Sequence, residues 1–431
     1  MKQEPPTAAD WASCLTVLAA LRDDPDAADH PDAEAVAKLV ARLQRIARKR
    51  RRKAGEVGRR TEDRAACEAT GLLLSQPTAE VVAAPTEGNR RRLNRARVCH
   101  LCGKRFRELH FHHHRLCPDC ARFNWDKRVE HADLNGRTAL VTGGRVNIGF
   151  ATALRLLRSG ATVHVTTRFP RDAAARYAGE PDFANWRDRL HVHGLDLRDL
   201  PAVIGFADGL SATCDGLDIL VNNAAQTIRR EPEAYAALMA GERAGATASP
   251  ESPDTLARRL PNADGLLPSP SRRNSWMLRA HEVAPMELLE VLLINTASPF
   301  VLVGRLKPLM LRSRFADRHI VNVSAAEGRF SRDWRSPAHP HTNMAKAALN
   351  MLTRTSADEF AASGIYINSV DPGWVSRQNP DPVVRDLRRR GDVAPLDSAD
   401  AAARVCDPIF RGVSGKPVWG LFLKDFAPVD W

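Results

Sequence analysis

Tyrosine is scarce in this chain: three in 431 residues, Tyr177, Tyr235 and Tyr366. The longest apolar runs fall short of the roughly 20 residues a spanning helix needs, and charge interrupts them, so no membrane span is expected. The opening MKQEPPTAAD lacks a cationic stretch followed by an apolar one. No secretory signal is therefore expected, and the expected compartment is the cytoplasm. Cysteine is limited to eight, four of them in two Cys-x-x-Cys pairs within one short segment. That pattern fits a metal site in a reducing compartment better than a disulfide framework. Cys14, Cys67, Cys214 and Cys406 stand alone and read as ordinary small residues.

Apolar residues make up 44% of the chain, enough for a packed core. The length suits two domains, or one large domain with additions. The formal charge of +12 admits an anionic partner without requiring one, since Arg-rich solvated helices often carry such an excess. Residues 1–90 read as a basic helical region. Trp11, Leu15 and Leu18, then Val36, Leu39, Val40, Leu43 and Ile46, recur at helical spacing, with a break around Pro25 and Pro31. The second helix runs into Arg48-Lys49-Arg50-Arg51-Arg52-Lys53. Nucleic acid or an anionic membrane could dock there; a solvated helix end whose cations complement the dipole is the simpler reading. Residues 76–97 have linker composition.

Residues 91–132 read as a small zinc-ribbon-like module. Cys99, Cys102, Cys117 and Cys120 form C-x2-C-x14-C-x2-C. Two such knuckles supply four thiolates to a tetrahedral Zn²⁺, a structural site with no open position for catalysis. His110, His112, His113 and His114 lie between them and read as a polar loop over the ribbon.

The rest of the chain is organised around RTALVTGGRVNIGFATALRLLRSGATVHVTTR, Arg137 to Arg168. An apolar strand, a Gly-bearing turn, an amphipathic helix and a β-branched strand make a βαβ unit. Its helix N-terminus offers free N–H groups to a phosphate. Further strands are expected at Leu190–Leu195, Leu217–Val221, Arg318–Val323, Ile365–Val370 and Val418–Leu423. Helices are expected at Glu287–Leu306, kinked at Pro299, and Met344–Ser363. This alternation predicts an α/β fold, a doubly wound parallel sheet of the Rossmann kind. A stretch at about 226–286, rich in Pro, Ser, Ala and Arg, is too long for a simple loop and predicts an excursion over the sheet's C-terminal edge.

Residues 133–431 resemble the short-chain dehydrogenase/reductase family. Gly143, Gly144, Arg145, Asn147, Ile148 and Gly149 are similar to its TGxxxGIG turn, with Asn147 at the middle glycine, a substitution that tolerates left-handed backbone. Asp196-Leu197 looks like its adenine-contacting pair. Asn222-Asn223-Ala224-Ala225 looks like its NNAG segment, and Asp371-Pro372-Gly373-Trp374-Val375 like the turn beside the nicotinamide. Asn295 falls at the catalytic-helix Asn. The resemblance implies a nicotinamide cofactor, a small alcohol or carbonyl substrate, and a homodimer or homotetramer. At the end of the second strand Thr167 replaces an acidic residue. Arg168, with Arg145, could take a 2′-phosphate, so NADP(H) is favoured over NAD(H).

The family's catalytic Tyr stands four residues before a Lys. Here Lys346 is present and the Tyr position holds Thr342, whose aliphatic hydroxyl ionises far above a phenol. The catalytic Ser position aligns with Ala325, and Ser324 is its neighbour. No tyrosine lies between the fifth strand and Lys346. His339, His341, Glu327, Asp333 and Tyr235 are the candidate replacements. Three functions follow: an oxidoreductase with a non-standard proton relay, a silent NAD(P)-binding sensor or scaffold, or a nucleic-acid-associated protein using the ribbon and basic helix.

Overall fold

The computed structural model describes residues 5–24, 26, 29–74, 91–243, 267, 269–331, 336–376 and 378–431. Asp333, most of the 76–97 linker and the middle of the 226–286 excursion lie outside the described residues. Met1–Ala66 with Leu93–Arg95 form one compact unit; Cys67–Arg92 with Ala96–Trp431 form the other.

The first unit is helical. Helix α1 (Ala8–Asp23) opens on a capping box, with the Thr7 hydroxyl accepting from the Asp10 N–H and the Asp10 carboxylate accepting from Thr7. Helix α2 (Ala33–Glu68) runs well past the basic cluster, so Arg48–Lys53 lie in its middle and are exposed. Trp11, Leu15, Leu39, Leu43 and Ile46 are exposed too.

Next in the chain comes an antiparallel pair that periodicity does not reveal, β1 (Arg92–Val98) and β2 (Arg105–Glu108), followed by α3 (Pro118–Val129) of the second unit. The large sheet follows in βα alternation: β3 (Thr138–Thr142), α4 (Asn147–Arg158), β4 (Thr162–Thr167), α5 (Pro170–Ala178), β5 (Leu190–Gly194), α6 (Leu200–Thr213), β6 (Ile219–Asn222). Helices α7 (Ala236–Arg243), α8 (Pro285–Leu292) and α9 (Ser298–Leu311) lead to β7 (Arg318–Val323), α10 (Pro340–Ala361) and β8 (Ile365–Asp371). Then come α11 (Asp381–Arg389), α12 (Ser398–Val413), β9 (Phe422–Lys424) and β10 (Ala427–Val429).

The strand order is β10-β9-β8-β7-β6-β3-β4-β5. All neighbours are parallel except β9 and β10; β9 overlaps the strand expected at Val418–Leu423, and β10 adds an antiparallel edge. Buried on both sides, the strands alternate between two cores. Ala139, Val141, Ile219, Val221, Val321 and Val370 face α4 and α12, whereas Leu140, Leu220, Ile320 and Ile367 face α6, α9 and α10. The chain leaves β3 toward β4 on one side and returns to β6 on the other. That switch point opens a crevice at the strands' C-terminal ends.

The break expected at Pro299 falls earlier, as a π-helical turn over Leu293–Ala297. Pro299 has no N–H for the carbonyl of Asn295, so the hydrogen-bond register widens there. By length and composition Pro285–Leu311 could cross a membrane, a segment that run length alone does not pick out. In the fold, Leu302, Val303, Leu306, Leu309 and Met310 of this segment are buried in the core.

Candidate active site

The phosphate turn is built by close backbone approach. Gly143 has φ +70°, and a Cβ on it would lie 2.9 Å from the Ala224 Cα. A Cβ on Gly149 would fall 2.2 Å from the Gly143 carbonyl oxygen. Asn147 sits at φ 55°, the left-handed conformation its side chain tolerates, and its amide oxygen accepts from Ser398 at 2.7 Å. Helix α4 starts here with no side-chain cap, leaving its first N–H groups for an anion. Tyr177 is buried below the turn, its hydroxyl donating to the Gly144 carbonyl at 2.6 Å.

The segment after β6 closes onto this turn. The Thr142 hydroxyl accepts from the N–H groups of Asn223 and Ala224, both at 3.0 Å. Asn222 donates to Asn322 at 2.8 Å, and Asn322 donates to Thr353 at 2.9 Å. This buried polar chain fixes β6, β7 and α10 in register. Beyond the C-terminal end of β5 Asp196 is bound by Arg198, and a shallow cleft runs over Asp196, Asp199, Leu200 and Leu293. Leu197 is buried and its carbonyl accepts from Ser298 at 2.6 Å.

The two cations nominated for a 2′-phosphate part ways. Arg145 is half-buried and paired to Asp172 at 2.8 Å, which also holds Arg176. Arg168 lies over the Tyr235 ring at 4.6 Å and the Phe169 ring at 5.4 Å.

Two of the candidate catalytic residues, Thr342 and Lys346, lie on the first turns of α10. His339 caps the helix, and Thr342, Asn343 and Lys346 follow at offsets of three, four and seven, along one helical face. Lys346 is buried, its ammonium donating to the Val323 carbonyl at 2.7 Å. Burial pulls its pKa down to about 8. Asn295 brackets Gln226, accepting from its N–H at 2.7 Å and donating to its carbonyl at 3.1 Å. The Thr342 hydroxyl is buried and carries no hydrogen bond among the described residues. Ser324 donates to Asn350 at 2.6 Å and is buried, so its hydroxyl braces β7 against α10. On the far side, the turn at Pro372 and Gly373 has φ +84° at the glycine, whose N–H donates to Asp371. Val375 follows, half-buried.

Beside α10 lies a cavity of about 470 Å³, lined by Trp276, Met277, Arg279, Glu327, Ser336, His339, Asn343 and Asn379. His339 has φ 45°, and its imidazole stacks on Trp276 with ring centroids 3.8 Å apart. Its Nδ1 lies 2.9 Å from the Trp276 carbonyl. A carbonyl only accepts, so Nδ1 carries the proton and Nε2 holds the lone pair of the neutral ring. His341 instead turns to Glu287 at 3.6 Å, and that imidazole holds the Glu287 carboxyl below its usual range. Tyr235 stands with Arg168 and Phe169, and Tyr366 at the opening of β8, at the other end of the strand; no tyrosine is among the described residues lining the cavity.

The buried Lys346 carries a pH signature. An unfolded Lys titrates near 10.4, so the folded state bears the cost of a buried ammonium below about pH 8 and sheds it as pH rises toward 10.4. Lys346→Met is expected to stabilise the cofactor-free protein at pH 7 by roughly 2 kcal/mol, the loss of the Val323 bond being offset against the shift. The gain should vanish near pH 10.5. Urea titrations at both pH values check this; a variant no more stable than the parent at pH 7 contradicts it.

The four cysteines converge as their spacing predicts. All four Sγ atoms lie within 4.8 Å of one another, with Cys102 and Cys117 3.7 Å apart. A tetrahedron with 2.3 Å Zn–S bonds has an edge of about 3.8 Å, so the set fits Zn²⁺. The Cys117 N–H donates to the Cys99 sulfur at 3.2 Å, and a bond from the Lys104 backbone helps bring the Cys102 thiol down to about 7. The module packs into the second unit: Arg115 lies over the Trp374 ring at 5.3 Å and pairs with Asp392, while Arg404 of α12 donates to Asn124. The histidines between the knuckles are not a solvated loop. His112, His113 and His114 are buried, and desolvation lowers the pKa of His110 and of His114 to about 3.

The chain matches the family described as short chain dehydrogenase over residues 137–240, and that described as enoyl-(acyl carrier protein) reductase over residues 251–415. It is 31% identical over 340 residues to an uncharacterized protein of Acanthamoeba polyphaga mimivirus, covering 73% of this chain and 71% of that one. It is 27% identical over 251 residues to the rhamnolipids biosynthesis 3-oxoacyl-(acyl-carrier-protein) reductase of Pseudomonas aeruginosa, covering 56% of this chain and 73% of that one. The solved short chain dehydrogenase from Burkholderia cenocepacia J2315 in complex with NADP matches with a TM-score of 0.47 at 24% identity, covering 68% of this chain and 97% of that chain. With the parallel sheet, its switch-point crevice and the glycine turn in place, the chain belongs to the short-chain dehydrogenase/reductase family of NAD(P)-dependent oxidoreductases.

Proposed function

We propose that this protein is an NADP(H)-linked oxidoreductase acting on an alcohol or carbonyl, with His339 as its proton relay and a structural Zn²⁺ in the four-cysteine module. The observation that carries the reading is the placement of His339. It lines the cavity two helical turns before Lys346, with its tautomer set by the Trp276 carbonyl.

The bound nicotinamide supplies or accepts the hydride. The chain's residues bind, orient and move the proton. The turn Gly143–Gly149 and the N-terminus of α4 hold the pyrophosphate. Asp196 and Leu197 hold the adenine, Asn222 and Ala224 flank the cofactor, and Pro372, Gly373 and Val375 bound the nicotinamide end. Lys346 holds ribose hydroxyls, and Asn295 orders the start of the excursion through Gln226. In the oxidising direction the His339 Nε2 lone pair takes the substrate hydroxyl proton, and in the reducing direction the ring, first protonated at Nε2 from solvent, gives that proton to the substrate oxygen. Thr342, between His339 and Lys346, offers a buried hydroxyl to position the substrate oxygen; Ser324 braces the strand beneath. The P. aeruginosa relative is named a 3-oxoacyl reductase, which makes β-keto carbonyls the first class to try.

Arg168 supports the NADP(H) preference, since Thr167 leaves no carboxylate to repel a 2′-phosphate. Arg168→Glu is expected to weaken NADPH binding roughly 10- to 100-fold, with NADH binding unchanged or tighter. Titration of cofactor fluorescence reads both constants. An unchanged ratio of the two would remove Arg168 from the account.

A further inference from the structure

The loop between the two cysteine knuckles carries a second constellation. Ring nitrogens of His112 and His113 and the carboxylate of Asp400, at the start of α12, lie within 4.8 Å of one another, all three residues buried. His113 Nε2 is 3.2 Å from both Asp400 oxygens, and His112 Nε2 is 3.6 Å from Asp397 Oδ2. We propose that His112, His113 and Asp400 form a second metal site, for a divalent transition ion such as Zn²⁺, distinct from the thiolate site and joining the module to α12.

Three observations carry it. The first is spacing. Nitrogen and oxygen ligands at 2.0–2.1 Å around a tetrahedral ion stand about 3.3 Å apart; His113 Nε2 and Asp400 are 3.2 Å apart, and a His112 ring nitrogen lies within 4.8 Å of both ligand atoms. The second is the His112 Nε2 atom, buried and without a hydrogen-bond partner among the described residues. The Asp397 carboxylate at 3.6 Å lies within ion-pair reach but too far for a hydrogen bond. A metal ion held with His113 and Asp400 would satisfy this nitrogen. The third is charge. The buried Asp400 and the half-buried Asp397 bring two carboxylates to the site, and a single guanidinium, Arg128, binds both, Asp397 Oδ1 at 2.5 Å and Asp400 Oδ1 at 3.0 Å.

Arg128 acts as an outer partner of the carboxylates, as ligating groups commonly require. The loop is held from behind. His110 Nδ1 accepts from the N–H groups of His112 and His113 at 3.2 and 3.3 Å, and the Phe111 and His112 carbonyls accept from Gly71 and Leu72. Asp400 lies 287 residues from His113. An ion here would close that span and load during folding, since the ligands are shielded from solvent.

The test is metal analysis with zinc-edge X-ray absorption on the full chain as purified. The proposal expects two metal ions per chain, with a first shell divided about equally between sulfur near 2.3 Å and nitrogen or oxygen near 2.0–2.1 Å. His112→Asn with His113→Asn should drop the content to one and leave a pure sulfur shell. One ion in an all-sulfur shell in the parent protein would overturn the proposal and make the cluster a hydrogen-bonded lock. Two ions in the variant would overturn it as well. A nitrogen/oxygen shell alone would sustain this site and refute the thiolate one. If the variant fails to fold, the parent spectrum still decides.

Discussion

His339→Asn is expected to lower kcat by roughly 10²- to 10⁴-fold, the usual contribution of a positioned acid–base group. Asparagine is the discriminating replacement. It tolerates the left-handed backbone at φ 45°, and its amide can keep donating to the Trp276 carbonyl, so the helix cap and the excursion keep their anchor. What it removes is the ring Nε2 atom of a residue that lines the cavity. NADPH affinity and Tm should stay within error of the parent. A kcat within about threefold of the parent would eliminate His339 as the relay and turn attention to Glu327, the carboxylate lining the same cavity.

Cys117→Ser is expected to release the thiolate-bound metal and to cost several kcal/mol, a part of the ~10–16 kcal/mol that structural zinc gives isolated fingers. For a domain of this size that is a fall in Tm of about 10 °C. Cys117 is the N-cap of α3, where serine is a stronger capping residue than cysteine, so the local helix should gain. Any loss therefore reports on the metal. Because Arg115 and His100 of the module pack on Trp374, next to the Gly373 turn, NADPH affinity should weaken together with the metal loss. Metal content by mass spectrometry and differential scanning calorimetry check both parts. A metal-free parent of equal stability would contradict the assignment.

Local features are legible in the sequence because their causes are local. The Gly143–Gly149 turn, the left-handed Asn147, the cysteine knuckles and the helix bearing Lys346 are each set by residues within one turn or one βα unit. What is not legible depends on partners far along the chain. The His112–His114 run reads as polar until Asp397 and Asp400 cover it. Arg145 looks available for phosphate until Asp172 takes it. Sequence alone does not rank His339 above His341, because its orientation is set by Trp276, on a part of the chain whose path no periodicity describes. The antiparallel edge β10 and the pair β1–β2 escape because short strands without alternation carry little signal.

The most direct measurement is NADPH oxidation by the full-length protein across a panel of aldehydes, ketones and β-keto thioesters, with NADH in parallel. The account predicts substrate-dependent loss of the reduced-nicotinamide absorbance, faster with NADPH, and strongly diminished in His339→Asn. NADPH that binds and stabilises the protein while no member of the panel is turned over, in either direction, would contradict it and leave a nucleotide-binding sensor.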